Sequence, residues 1–165
     1  MRTRTLLWIP FVLILAACTR NSAQDKFESD ARKAPTGITR TDASGRILSN
    51  DPDDWRIGPM FQGFVDISVP AYPNPSQNQR VTIDLIISGL ESVSGIEVYT
   101  RTSLGEPLFL YEIPDRPVPI GVSQIFFDPI SLSPFRTYDD AIGIHRIYIY
   151  DRNGNLISYG DVEIE

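Results

Sequence analysis

Arg80-Val81-Thr82-Ile83-Asp84-Leu85-Ile86-Ile87-Ser88 decides the fold. Val81, Ile83, Leu85 and Ile87 fall on one parity, while Arg80, Thr82, Asp84 and Ser88 fall on the other. A period of two puts successive side chains on opposite faces of an extended chain, so this stretch reads as a strand with one buried face. Upstream, Phe61, Val65, Ile67 and Val69 share a parity with Gly63, and Gln62, Asp66 and Ser68 oppose them. Pro70, Pro73 and Pro75 then end that run, because proline has no N–H for a sheet ladder.

Downstream the same texture recurs at 95–101, 107–113, 121–127, 143–151 and 156–164, separated by Pro, Gly, Asn and Ser clusters. Asp151-Arg152-Asn153-Gly154-Asn155 holds Asn-Gly between two apolar runs, a strong hairpin signal. Gly160 in the last run is read as a bulge. Prolines 114, 117 and 119 mark an extended connection. The spacing predicts an all-β fold: an antiparallel, seven-stranded sandwich of immunoglobulin or fibronectin III type over residues 55–165, with a small closed barrel as the alternative. Which parity of the strand at 143–151 lies inside, Ile147/Ile149 or Tyr148/Tyr150, is left open by the pattern.

The segment 18–54 is polar, and Phe27, Ile38, Ile47 and Leu48 are too sparse to form a core. It reads as a disordered tether whose flexible coil would reach roughly 30–35 Å. Before it, Arg2 and Arg4, the apolar run Leu6–Leu15 and the small pair Ala16-Ala17 follow the order of a secretory signal over 1–17. That run is shorter than the roughly 20 residues a spanning helix needs. Without residues 1–17 the chain has 13 basic and 21 acidic side chains, a net charge of −8. Such a surface repels phosphate backbones, which argues against nucleic acid as a partner. It also gives no electrostatic attraction to anionic lipid.

Candidate chemistry is sparse. Cys18 is the one cysteine and His145 the one histidine, too few for a zinc or copper set. The sequence has no Gly-x-Ser-x-Gly, phosphate loop or dinucleotide fingerprint, and the chain is read as non-catalytic with no cofactor. Asp151, Asn153 and Asn155 sit at the first, third and fifth positions of a calcium loop. Leu156 stands where the sixth-position glycine belongs and Val162 where the twelfth-position glutamate belongs, so a hairpin turn explains them better. Trp55, Tyr72, Tyr99, Tyr148 and Tyr150 are the candidate surface for a protein partner or a glycan. Trp55 is alternatively the first packed residue of the domain, and Tyr99 lies between Glu97 and Arg101 on the polar parity of its strand.

Two resemblances add to this reading. Leu15-Ala16-Ala17-Cys18 resembles the bacterial lipoprotein box, which implies cleavage before Cys18, a diacylglyceryl group on its thiol and a further acyl chain such as palmitate on the new amine. Several chains anchor firmly where one is marginal. In the enterobacterial sorting rule, Thr19 rather than Asp after the cysteine implies the outer membrane, on its periplasmic or its surface face. Tyr72-Pro73-Asn74-Pro75, the alternation at 81–85, Ile96-Glu97-Val98-Tyr99 and the Leu104-Gly105 turn resemble the C-terminal β-sandwich modules of type IX secretion cargo and the Ig-like domain of flagellar hook-cap proteins. The chain departs from the cargo modules by ending Asp161-Val162-Glu163-Ile164-Glu165 instead of near a basic residue, so the resemblance implies the fold and not the sorting role. The expectation is a lipid-anchored envelope protein that binds another envelope protein, or alternatively a cell-surface carbohydrate-binding module.

Overall fold

The structure, a computed structural model, describes residues 22–90 and 92–165. The signal segment and Cys18 lie outside the described residues. Among those described, residues 22–31 form a helix (α1). Three short strands follow: β1 (Arg40–Thr41), β2 (Ile47–Ser49) and β3 (Arg56–Ile57). Then come β4 (Val65–Tyr72), β5 (Val81–Ile87), β6 (Ile96–Arg101), β7 (Pro107–Ile113) and β8 (Gly121–Phe127). A 3-10 turn at Pro129–Leu132 and the short helix α2 (Tyr138–Ala141) lead to β9 (Gly143–Asp151) and β10 (Leu156–Ile164).

The fold is an antiparallel β-sandwich. One sheet has the order β4-β5-β8 and the other β3-β10-β9-β6-β7, with β1 and β2 forming a small separate pair. Six of the seven longer strands fall on stretches that alternation marks, and β1 to β3 bring the count to ten. The seventh, β4, is displaced: it begins at Val65 rather than Phe61 and runs through Pro70 to Tyr72, because register shifts at Ile67/Val69 and Val69/Tyr72 take Pro70 out of the regular ladder. Those three are two or three residues long, too short to carry a period. The bulge in β10 falls between Leu156 and Ser158, not at Gly160. Gly160 instead clears the indole of Trp55, since a Cβ there would lie far inside van der Waals contact with the ring.

Ile83, Leu85 and Ile87 from one sheet and Val98, Ile147, Ile149 and Val162 from the other are fully buried in one core. This settles the parity of β9: Ile147 and Ile149 face inward, and Arg146, Tyr148 and Tyr150 lie on the outer face of the five-stranded sheet. Burying side chains of this size contributes about 1.5–3 kcal/mol each, enough for two facing sheets to hold one core.

The expected tether is the main correction. Helix α1, the 39–41 stretch and Asp54 are docked on the sandwich, while β2 is exposed. Helix α1 lies on the outer face of β9 and β10, burying Gln24, Phe27 and Ala31 at helical spacing. The Phe27 ring meets Tyr159 at 5.1 Å, and Gln24 Nε2 donates to the Leu156 carbonyl at 3.2 Å. Farther along the chain, Asn74 holds the 39–41 segment to β10. Fully buried, it donates through Nδ2 to the Thr39 and Asp161 carbonyls at 2.8 and 2.9 Å. Its Oδ1 accepts from Glu163 N at 2.9 Å. Asp54, also buried, accepts from the N–H groups of Thr39 and Asp161. The compact unit therefore begins before residue 55.

Candidate functional site

The outer face of the five-stranded sheet carries a row of aromatic residues across four strands. Register pairs Tyr159 of β10 with Tyr148 of β9, Tyr148 with Tyr99 of β6, and Tyr99 with Phe109 of β7. Directly opposed aromatic pairs are favourable cross-strand neighbours. A register shift between Val98 and Tyr99 brings Phe109 opposite Tyr99. Tyr99 and Phe109 then meet edge-on at 5.6 Å, and Tyr99 and Tyr150 at 6.3 Å.

Helix α1 covers only half of this row. Phe27, Ala31, Leu156, Tyr148 and Tyr159 form a second small core beneath it, with Tyr150 at its edge. The Tyr148 hydroxyl donates to the Ala31 carbonyl at 3.2 Å. Arg146 secures the helix end, since its Nη1 donates to the carbonyls of Ala31 and Lys33 at 3.2 and 2.5 Å. The other guanidinium nitrogens form a two-pronged pair with buried Asp161 at 2.8 and 2.6 Å.

Past the helix the row lies open. Tyr99, Thr100, Arg101, Pro107, Tyr148 and Tyr150 line a groove of about 320 Å³. Phe109, half exposed, stands at its β7 side. Arg101 lies 5.5 Å from the Tyr148 ring centre, within cation–π range, and donates to the Gly105 carbonyl. The Tyr99 hydroxyl donates to Glu97 at 3.0 Å. Burial and then Glu97 raise the Tyr99 pKa, and burial raises that of Tyr150, so both phenols stay neutral donors at physiological pH. Glu97 is itself paired with Arg152 at 3.3 Å, and Arg152 also pairs with Glu112 at 2.5 Å.

Three of the five aromatic candidates thus converge, Tyr99, Tyr148 and Tyr150, but Tyr148 is itself buried, with its hydroxyl held by Ala31, so it forms the floor of the groove and not an exposed contact. The other two lie apart from them. Trp55 is buried, 7% exposed and packed into the sandwich core, so it presents no surface. Its positive φ of 57° and the space left by Gly160 let the ring turn inward. Tyr72 is half-buried at the end of β4, with its hydroxyl directed to Asp84 at 3.3 Å. The sequence reading missed Phe109, Arg101 and Pro107. Phe109 and Pro107 lie on the exposed parity of an edge strand, and only the register shift places Phe109 beside Tyr99.

Asp151, Asn153 and Asn155 do come together, but as a hairpin lock. The buried Asp151 carboxylate accepts from the backbone N–H groups of Asn153 and Asn155 at 3.0 and 2.8 Å and from both side-chain amides. Amide nitrogens, not oxygens, face that carboxylate. His145 is also tied to the backbone. Its Nε2 lies 2.8 Å from the Ala141 carbonyl, which can only accept, so Nε2 carries the proton. Burial lowers its pKa, keeping the ring neutral.

No protein-family model matches the chain, and no curated protein matches it.

Proposed function

We propose that this chain is a non-catalytic, lipid-anchored protein of the bacterial outer membrane, attached through Cys18, whose sandwich binds another envelope protein through the open half of the aromatic row. The observation that carries this reading is the groove of Tyr99, Tyr148, Tyr150 and Arg101 bordered by Phe109. Tyrosine and arginine are, with tryptophan, the residue types enriched at binding hot spots. They give large contact area with few rotors to freeze, and each keeps a polar tip for a directed hydrogen bond. The shifted groups Asp54 and His145 each hold backbone partners, so their perturbation has a structural use. A glycan is the less favoured occupant, because stacking a sugar needs a free ring face. Here Arg101 lies against Tyr148, and the Tyr99 ring meets Phe109 and Tyr150.

A photo-crosslinking residue at Phe109 in living cells tests the site. One envelope protein should be captured, and Tyr99→Ala or Arg101→Ala should abolish the adduct while the protein stays folded. Retention of glycans or peptidoglycan by the purified protein, lost in Tyr99→Ala, would favour the carbohydrate reading instead. The anchor has its own test: labelled palmitate should be incorporated by the wild type and not by Cys18→Ser, and unchanged labelling in that variant would sink it.

A further inference from the structure

The docked helix fixes the end of the sandwich from which the chain leads back to Cys18. α1 runs along the sheet with its first turn at the β10 start, where Gln24 donates to Leu156 O, and its last turn near Arg146 and Tyr148. Its start is therefore at the sandwich end that carries the β9–β10 hairpin. Three residues, Thr19, Arg20 and Asn21, separate Cys18 from Ser22. Fully extended, the step from Cys18 to Ser22 spans at most about 14 Å. A 30 Å tether is excluded as long as α1 stays docked.

The same end carries a set of exposed apolar side chains. Met60 and Phe64 sit on the connection from β3 to β4, Leu90 on that from β5 to β6 and Ile120 on that from β7 to β8. All four are exposed, Leu90 at 83%. Contacts hold these connections to the helix start and to one another. Met60 N donates to Gln24 Oε1, and Ser88 N donates to the Phe64 carbonyl at 2.8 Å. Val118 N donates to the Val93 carbonyl at 2.9 Å, and Gly121 pairs with Ile87. The opposite end has exposed apolar residues as well, Leu104 and Phe135 among them, so exposure alone does not choose an end. The attachment point does.

We propose that this end of the sandwich is seated on the bilayer, with Met60, Phe64, Leu90 and Ile120 against the lipid headgroup layer and the strands standing away from it. The proposal rests on Cys18 acylation as read above. Its occupant is a lipid surface, because acyl chains on Cys18 hold the helix start within one short span of the headgroups, and apolar tips at that depth lose water to lipid. In this pose the aromatic groove opens sideways, parallel to the membrane plane. A partner must approach laterally.

The test uses the full-length acylated protein in phosphatidylethanolamine–phosphatidylglycerol vesicles. Met60→Cys, Leu90→Cys, Leu104→Cys and Phe135→Cys variants each offer one free thiol for an environment-sensitive dye, Cys18 being blocked by acylation. A nitroxide on the lipid headgroup quenches nearby dyes. Strands of nine residues span about 30 Å, so quenching at positions 60 and 90 should exceed that at 104 and 135 by about threefold or more. Equal quenching at all four positions, or stronger quenching at 104 and 135, overturns the seating. Flotation separates the two readings: a wild type that fails to float with vesicles removes anchor and seating together, whereas a floating protein with uniform quenching removes the seating alone.

Discussion

Asn74 shows how one side chain can hold a fold's entry segment. It sits in Tyr72-Pro73-Asn74-Pro75, where the prolines end β4 and leave the asparagine free to bridge. Its backbone exchanges hydrogen bonds with Thr41 while its amide serves Thr39, Asp161 and Glu163. Asn74→Ala leaves three buried backbone groups without partners, at about 1 kcal/mol or more each. The expected loss is about 3 kcal/mol in urea unfolding. Asp54 acts beside it. Burial, reinforced by Asp161 and Asp51, pushes its carboxyl up to about 7 against the opposing pull of the Thr39 and Asp161 N–H groups. In the unfolded chain the group titrates near 3.8, so between about 4 and 7 the folded state holds a proton that the unfolded state has released. The stability tied to that proton is complete below 3.8 and is lost as pH rises towards 7. Thermal melts of wild type and Asp54→Asn across pH 4–7 check this. The variant is offset by one lost acceptor but should lack the decline, which is on the order of 2 kcal/mol after solvent screening.

At the scale of elements, the long strands were legible and α1 was not, for a definite reason. Val81, Ile83, Leu85 and Ile87 announce their strand because each inward position is large and apolar. The buried stripe of α1 is Gln24, Phe27 and Ala31, with a single large apolar residue, and Gln24 is buried only because Leu156 O and Met60 N satisfy it. No hydropathy pattern contains that information. The candidate site was half legible on the same grounds. Tyr99 stood out as an aromatic residue on a polar parity, while Phe109 needed a register shift to reach it. A ten-residue helix is marginal in water without tertiary contacts, so Phe27 is its fastening. Phe27→Ala should cost about 3 kcal/mol. Hydrogen exchange should localise the effect, with amides of 22–33 exchanging rapidly while those of β5, β6 and β9 keep their protection.

For the whole molecule, a domain starting at residue 55 on a loose tether and a domain starting at the helix behave differently towards a protease. Lys26, Arg32, Lys33, Arg40 and Arg46 all lie in the segment that sequence alone reads as tether. If it were free, trypsin would cut at several of these within the time that unfolded chains survive. The docked segment limits access, because cleavage needs an extended stretch of chain and most of these sites are held in place. Lys26 and Arg32 lie in or beside the helix, and the Lys33 carbonyl is engaged by Arg146. Thr41, next to Arg40, is bonded to Asn74. Arg46 is the exception: it is exposed beside the β1–β2 turn and pairs with Asp42, four residues earlier in the same turn. Among these five sites, limited digestion of the native protein should therefore cut first after Arg46, with both pieces still associated in gel filtration. Asn74→Ala and Phe27→Ala should each open additional sites, the first around Arg40 and the second around Lys26 and Lys33. A wild type cleaved at all five positions at equal rates would restore the long tether and, with it, a sandwich free to move well clear of the membrane.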